Sequence, residues 1–276
     1  MELKLASWNV NSLRVRLPHL LDWLATAQPD LLALQETKLV DADFPLAVLH
    51  EAGYEATFAG QKSYNGVAVL SRLPLGEVVT DLPGLDDPQR RVLGVTATLP
   101  DGRPLRFYSL YVPNGSEVGS DKYRYKLDWL RALHDHLAAE LHRWPLLAAV
   151  GDYNIIPQPE DVHDPQAWEG QVLFTEAERA ALQGLLDLGL SDLFRRFEQP
   201  AESYSWWDYR QAAFRRNRGA RIDHLLASAA LRDACTACSI DRAPRALERP
   251  SDHAPVVATF RPGRSTRPVP PRRRSP

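Results

Sequence analysis

Polar residues stand at the ends of the apolar runs that are typical of strands. Five of them follow such a run: Asn9, Glu36, Tyr111, Asp152 and Asn154. Two more, Asp223 and His253, stand at the beginnings of the last two runs. If the last two strands run antiparallel to the others, all seven side chains lie at the same rim of the sheets. Taken singly, each residue is more typical of a turn, a helix cap or a hydrogen-bonded surface group.

Carboxylates dominate this expected rim. Four are candidates for it: Glu36, Asp152, Asp223 and Asp252. Such a concentration of negative charge needs a cation. Oxygen ligands without thiolates or histidine pairs favour Mg²⁺ or Mn²⁺ over zinc. A metal, carboxylates, amide donors, a tyrosine and an Asp/His pair are the groups that phosphodiester hydrolysis uses.

The sequence motifs of several other hydrolases are absent. The chain has no G-x-S-x-G elbow, no P-loop and no H-E-x-x-H sequence. The sequence therefore gives no support to serine-dependent acyl transfer, P-loop nucleotide hydrolysis or zincin-type proteolysis.

Apolar runs alternate with helical periodicities, which predicts an α/β architecture. Strands are predicted at 3–8, 30–36, 66–71, 92–99, 105–112, 145–152, 221–228 and 254–260. Helices are predicted at 17–28, around the leucines from Leu127 to Leu141, and at 175–188. Three successive strands without long helices between them indicate a partly antiparallel sheet system. Segments 153–174 and 195–221 are predicted as long irregular loops, which tend to be functional.

Composition is that of an ordinary globular chain. Its 276 residues are 44% apolar and 25% charged, which suits one large α/β domain. No secretory signal and no apolar stretch near the roughly 20 residues of a membrane span are seen, so a cytoplasmic enzyme is expected. A monomer is the default expectation for the oligomeric state, which the sequence leaves open. The pair Cys235 and Cys238 could indicate redox chemistry or half a zinc site, but packing is favoured.

Charge is unevenly distributed. Residues 261–276 hold six arginines and no acidic residue, and without those charges the remaining 1–260 carry a formal net charge of −8. The Pro/Arg-rich segment 262–276 is predicted to be a disordered tail. It either keeps the protein in solution or binds a polyanion weakly and without sequence preference. An acidic body argues against broad electrostatic binding, so any nucleic acid must be bound by local patches.

Two local patches could serve this purpose. Segment 202–221 interleaves aromatic residues with arginines, including Trp206 and Arg210, which suits stacking beside phosphate contacts. The alternative is an aromatic core cluster with solvated arginines, which is favoured at Trp207. The stretch DKYRYK at 121–126 offers Lys122, Arg124 and Lys126 as DNA backbone contacts or as part of a solvated helical turn.

Six ordered motifs resemble the exodeoxyribonuclease III family of abasic-site endonucleases, within the endonuclease/exonuclease/phosphatase superfamily. They are LASWNVNSLR, LLALQETK, YVPNGSE, VGDYNIIP, RIDHLLAS and PSDHAPV. The resemblance implies a four-layer α/β sandwich of two mixed sheets, formed by residues 1–261. It also implies metal-dependent cleavage of double-stranded DNA 5′ to abasic sites, with 3′-to-5′ exonuclease and 3′-end-cleaning activities.

The resemblance also implies roles for single residues. Glu36 resembles the principal metal ligand, with Asn11 and Asp252 nearby; some relatives have aspartate where this chain has Asn11. Asp152 resembles the residue that activates water, and Asn154 the residue that positions it. His253, with Asp223 as partner, resembles a phosphate-contacting histidine that could instead be the general base. Phosphate or pocket contacts are implied for Asn9, Tyr111, Asn114 and Trp206.

Two other functions compete with this one. A superfamily relative could hydrolyse a different phosphoester, such as an inositol phosphate or a lipid headgroup. A catalytically silent DNA-binding module is the other alternative, although pure binding does not need Glu36 or Asp152.

Overall fold

The computed structural model describes residues 2–261, which contain two six-stranded mixed sheets. The strands are β1 Leu3–Asn9, β2 Leu31–Gln35, β3 Glu55–Ala59, β4 Val67–Ser71, β5 Leu75–Val79, β6 Val92–Thr98, β7 Pro104–Tyr111, β8 Leu147–Asp152, β9 Ser191–Asp192, β10 Asp223–Ala227, β11 Cys235–Ile240 and β12 Val256–Phe260. The α-helices are α1 Leu13–Ala27, α2 Leu46–Glu51, α3 Asp121–Arg143, α4 Pro165–Trp168, α5 Glu176–Asp187 and α6 Ala229–Arg232.

The two sheets have the same succession of parallel and antiparallel strand pairs. The first sheet runs β11-β12-β1-β2-β4-β3 and the second runs β5-β6-β7-β8-β10-β9. In each sheet one central pair is parallel, β1 with β2 and β7 with β8. In each sheet a late strand adds to this pair in the antiparallel direction, β12 beside β1 and β10 beside β8. The ends of the early strands and the starts of the late strands therefore share one rim.

Three apolar layers hold four layers of secondary structure together. The first lies between the sheets and contains side chains from both, such as Leu5 and Phe107. The second packs α3 and α5 on the second sheet, around Leu133 and Leu185. The third packs α1 and α2 on the first sheet, around Leu24 and Leu49. The prediction of a four-layer α/β sandwich is confirmed.

Helix α1 begins earlier than predicted, at Leu13 rather than residue 17. Pro18 lies inside the helix instead of near its first turn. The early start has a tertiary cause, because the backbone N–H groups of Ser12 and Leu13 donate to the carbonyls of Glu36 and Thr37. Those bonds satisfy donors that a helix start leaves without intrahelical partners.

Four strands were missed from the sequence, and they are the four edge strands of the two sheets: β3, β5, β9 and β11. Strand β5 is partly or fully exposed along its whole length, and β9 has only two residues. An edge strand buries little, so its apolar pattern is weak. Cys235 and Cys238 lie buried and unpaired on β11, in agreement with the packing interpretation.

The two long segments are irregular, as predicted. Segment 153–174 holds a short 3₁₀ turn and α4, and segment 195–221 holds a 3₁₀ turn at Arg210–Ala212. The predicted tail at 262–276 lies outside the described residues. Among the described residues, no helix combines the length and apolarity that crossing a membrane requires.

Gly151 provides a test of how tightly the rim is built. A Cβ added there would lie 1.9 Å from the backbone carbonyl oxygen of Leu110, and the residue has a φ of +153°. We therefore expect Gly151→Ala to lower the free energy of unfolding by about 3 kcal/mol. The measurement is urea unfolding followed by circular dichroism.

Gly184 on α5 is the matched control. A Cβ there meets only His134 Cδ2 at 3.7 Å, so Gly184→Ala should stabilise by about 1 kcal/mol through helix propensity. Equal effects of the two substitutions would contradict the packing argument.

Candidate active site

The expected rim is formed by both sheets. In the second sheet, Asp152 pairs in register with Tyr111 on one side and with Asp223 on the other. In the first sheet, Asn9 ends β1, and Glu36 comes directly after the neighbouring strand β2. His253 precedes β12 and is tied to β1, since Trp8 Nε1 donates to its carbonyl at 3.2 Å. All seven strand-end groups therefore lie at one rim.

A buried amide joins the two sheets at this rim. Asn9 Nδ2 donates to Glu36 Oε1 and to Asp152 Oδ2, each at 2.9 Å. Single ligand atoms of Glu36, Asp152 and His253 all lie within 4.8 Å of one another. The distant motifs thus converge on one point, where two carboxylates and an imidazole can act on the same group.

Left-handed backbone brings several of these side chains to the rim. Glu36 has a φ of +52° and Asn154 a φ of +50°, directly after β2 and just after β8. Residues with side chains adopt this conformation at a cost and tend to do so at functional sites. The Asn154 backbone N–H donates to Asp152 Oδ1 at 2.9 Å, so the turn also fixes the carboxylate.

His253 is held as part of a chain of polar groups. Its Nδ1 lies 2.9 Å from Asp223 Oδ2, and its Nε2 lies 3.7 Å from Asp152 Oδ2. Ser205, which sequence reasoning missed, donates to Asp223 Oδ2 at 2.6 Å. Burial disfavours the imidazolium, but the Asp223 and Asp152 carboxylates outweigh it and raise the pKa of His253 to about 10. The ring is therefore a cation at neutral pH.

The pKa of the neighbouring Asp152 carboxyl is shifted for a different reason. Complete burial raises the pKa of its carboxyl well above the usual range, while the His253 cation opposes that rise. A carboxylate with a raised pKa is a better proton acceptor than an ordinary aspartate. Asp152 is thus suited to take a proton from water beside a cation that stabilises developing negative charge.

Lys38 contacts the groups expected to bind metal. Its ammonium lies 2.9 Å from Glu36 Oε2 and 2.5 Å from Asn11 Oδ1. Sequence reasoning missed this residue, although it lies two positions after Glu36. The contact shows that both oxygens can be reached by one cation. Glu36 lies near Asp152 on one side and shares Lys38 with the Asn11 oxygen on the other, and such oxygen donors are of the kind that a hard divalent ion prefers.

Asp252 lies beside Asn11, on the side of the rim that faces Trp206. Its Oδ1 accepts from Asn11 Nδ2 and its Oδ2 from Trp206 Nε1, both at 2.9 Å. Its carboxylate does not belong to the cluster of Glu36, Asp152 and His253. The structure thus places Asp252 between Asn11 and the aromatic segment.

Tyr111 and Asn114 line the other side. The pKa of Tyr111 is raised by burial and by the nearby Glu36 and Asp152 carboxylates, so the phenol stays protonated and can donate. The Arg91 guanidinium lies 4.7 Å above its ring. Asn114 Nδ2 donates to Asn154 Oδ1 at 3.1 Å.

Two cavities flank the central cluster. One, of about 380 Å³, is lined by Trp206, Trp168, His163 and Arg210, with the two indoles edge to face at 6.4 Å. Arg210 is exposed and paired with Asp208, while Trp207 is fully buried, in line with the core alternative. Trp168 was missed because it ends α4, a helix of four residues that is too short to show a periodicity.

The second cavity, also about 380 Å³, lies beyond Asn114. Its lining residues include Lys122, Arg91 and the exposed Tyr64. Polar and aromatic walls on both sides of a catalytic centre suit an extended, charged substrate.

Comparison with known proteins decides the family. The family model described as Endonuclease/Exonuclease/phosphatase family matches residues 6–253. Exodeoxyribonuclease III of Haemophilus influenzae is 35% identical, over 94% of this chain and 100% of that protein. This chain belongs to the exodeoxyribonuclease III family. The prediction made from the six motifs is confirmed, and the chain is a hydrolytic nuclease of the DNA-repair class.

Solved structures agree with this assignment. The 3′ phosphatase NExo from Neisseria, solved with a product DNA hairpin, is 43% identical with a TM-score of 0.90, over 94% of this chain and 99% of that one. An AP endonuclease from Archaeoglobus fulgidus is 38% identical with a TM-score of 0.86, over the same shares of the two chains.

The charge of His253 can be tested directly by NMR titration of the histidine rings in EDTA-treated protein. Because its folded pKa is raised to about 10, His253 should stay protonated from pH 6 to pH 8. His224 is the internal control: burial and Arg221 lower its pKa, so its ring should become protonated only at a lower pH than an exposed histidine. Asp223→Asn should move the His253 transition toward neutrality. Ordinary titration of wild-type His253 near 6.5 would contradict the electrostatic argument.

Proposed function

We propose that this protein cleaves the backbone of double-stranded DNA 5′ to abasic sites and removes blocking groups and nucleotides from 3′ ends. The observation that carries the proposal is the joining of Glu36, Asp152 and His253 beside a pocket lined by Trp206. We also propose that the protein acts as a cytoplasmic monomer.

One reaction accounts for all three activities. A water molecule attacks phosphorus, the bond from phosphorus to the 3′ oxygen breaks, and a 3′ hydroxyl is left on the DNA. The three substrates differ in what else the phosphorus carries. It carries an abasic nucleotide in the first, a terminal nucleotide in the second, and nothing further in a 3′-terminal phosphate. An arrangement that binds the shared phosphate therefore serves each substrate.

Different side chains of the rim serve different parts of this reaction. Asp152 takes the proton of the attacking water, while Asn154 orients that water. His253, a cation held by Asp223, stabilises the negative charge of the pentacovalent state. Tyr111 and Asn114 donate to phosphate oxygens, while Asn9, whose two amide N–H groups are taken by Glu36 and Asp152, orders the site. Lys122 and Arg210, in the two flanking cavities, contact the neighbouring backbone.

A divalent metal completes this group, and we propose Mg²⁺, with Mn²⁺ able to replace it. Glu36 would be its principal ligand, with Asn11 and Asp252 close by. An ion held by these residues would supply positive charge to the phosphate and to the leaving oxygen.

Trp206 and Trp168 support the choice of an abasic substrate. Their indoles form an apolar wall next to the cluster, where an extruded sugar without a base can be accommodated. Extrusion costs little because no base pair is lost. The likeness to the Neisseria 3′ phosphatase favours 3′-end removal as the second activity of the same centre.

Two oligonucleotide duplexes test the proposal, one with an internal abasic analogue and one with a 3′-terminal phosphate, each incubated with Mg²⁺, Mn²⁺ or EDTA. We expect metal-dependent incision 5′ to the lesion and metal-dependent release of phosphate. Release of phosphate without incision would restrict the protein to 3′ ends. Metal-dependent hydrolysis of neither DNA would favour a different phosphoester, and tight DNA binding without cleavage a silent binding module.

Two substitutions separate the metal from the base. Glu36→Gln should raise the Mg²⁺ concentration for half-maximal incision by more than about tenfold, because a ligand charge is lost. Asp152→Asn should lower kcat by about 10³-fold or more at any metal concentration while DNA affinity is retained. Metal titrations of the single-turnover rate, with gel-shift binding as control, measure both. Near-normal incision by Asp152→Asn would remove Asp152 as the base.

A further inference from the structure

Lys126, which the sequence suggested as a DNA backbone contact or a solvated helix residue, is instead a fully buried cation, and it lies outside the groups assigned to catalysis. It is on α3, and its side chain has no solvent exposure. Its ammonium donates to the backbone carbonyls of Asn154 at 2.6 Å and Asn114 at 3.1 Å, and to the Glu178 carboxylate. Each of its three N–H groups therefore has a partner, two of which are backbone atoms of the rim.

Glu178 on α5 compensates the buried charge. Its Oε1 also accepts from the backbone N–H of Leu173, and its Oε2 accepts from the N–H and hydroxyl of Thr175. Burial lowers the pKa of Lys126, while the Glu178 carboxylate opposes that change. A buried pair in which every polar atom is hydrogen-bonded forms a rigid unit.

The two carbonyls that Lys126 binds belong to the turns that carry the site amides. The Asn154 N–H orients Asp152, and the Asn114 side chain holds the Asn154 amide. The next residue, Gly115, has a φ of +96°, and a Cβ there would lie 3.1 Å from Lys126 Cδ. The Lys126 side chain therefore supports both turns through its ammonium and the Asn114 turn also through its stem.

We propose that Lys126 is a positioning residue that fixes the turns of Asn114 and Asn154, and through them the Asp152 carboxylate, from beneath the rim. The inference rests on the proposed function of those three residues. Lys126 does not touch substrate; its effect on the reaction is carried by the two backbone carbonyls. A loss of this support displaces the amides by a fraction of an ångström, which is enough to slow a reaction that depends on alignment.

A second buried pair on the same helix offers a matched control. Glu140 of α3 binds Arg106 of β7 at 2.7 Å, and the Arg106 side chain is as buried as that of Lys126. Its partners include Tyr108 and the Glu77 carbonyl, none of which belongs to the rim. Removing this pair loosens α3 without touching the Asn114 or Asn154 turn.

The experiment compares Lys126→Met/Glu178→Gln with Arg106→Met/Glu140→Gln. Both remove a buried pair without leaving an unpaired charge, and both should lower the urea midpoint. With saturating Mg²⁺ and abasic DNA, we expect the first variant to lose about 30-fold or more in kcat with little change in KM. The control should stay within about threefold, as expected for structural loosening alone. Equal losses in the two variants would overturn the inference.

A double-mutant cycle tests whether Lys126 affects kcat through Asn114 and Asn154. In an Asn114→Ala/Asn154→Ala background, removing the Lys126 pair should cost clearly less in kcat than it does in the wild-type background, since the two side-chain amides are gone and only the backbone N–H of Asn154 still depends on the pair. A full additional loss would overturn the inference. If the pair variant does not fold, Lys126→Gln, which retains a shorter amide donor, should show a smaller loss of kcat; normal kcat would count against the proposal.

A readout independent of cleavage separates this inference from the proposed function. In ¹⁵N-asparagine-labelled protein, the side-chain amide signals of Asn114 and Asn154 should shift or broaden in the Lys126 variant and stay in place in the Arg106 variant. Unchanged signals would overturn the inference even if wild type cleaves DNA. Failure of wild type to cleave either duplex, with the signals shifted as expected, would overturn the proposed function alone.

Discussion

The site depends on bringing carboxylates of like charge together across the seam between two sheets. Glu36 comes from the first sheet and Asp152 from the second, and both are kept in place by the neutral amide of Asn9, which donates to each at 2.9 Å. Repulsion between these groups has to be offset by nearby positive charge. Lys38 supplies it beside Glu36 and the His253 imidazolium beside Asp152.

This constraint explains why the polar groups of the rim are so extensively hydrogen-bonded. Asp223 binds His253 and Ser205, and the Ser251 hydroxyl donates to the Asn9 carbonyl at 2.6 Å. In a buried setting each unpaired polar atom would be costly, so the network also specifies one arrangement of the rim. Left-handed turns at Glu36 and Asn154 add strain that the surrounding bonds must hold.

The flanking cavities determine what such a centre acts on. Under the proposed function, the central groups would bind the phosphate that is common to every substrate, together with the metal. Trp206 and Trp168 on one side, and Lys122 and Arg91 on the other, line the cavities that would receive what is attached to that phosphate. Choice between an internal abasic site and a 3′ end is therefore a property of the loops, as expected when function resides in sites built on a shared fold.

The apolar and helical patterns by themselves predicted the α/β architecture, the rim and its polar groups, and the resemblance of the six motifs added the four-layer sandwich. Strong apolar runs mark the inner strands, and a residue at the end of such a run must lie at the end of its strand, on the rim of the sheet. Edge strands, the start of α1 and the roles of Ser205, Lys38 and Lys126 were decided only by tertiary structure. Edge strands bury too little to leave a pattern. Contacts such as that of Lys126 with two distant carbonyls depend on how α3 packs against the second sheet, which no local pattern records.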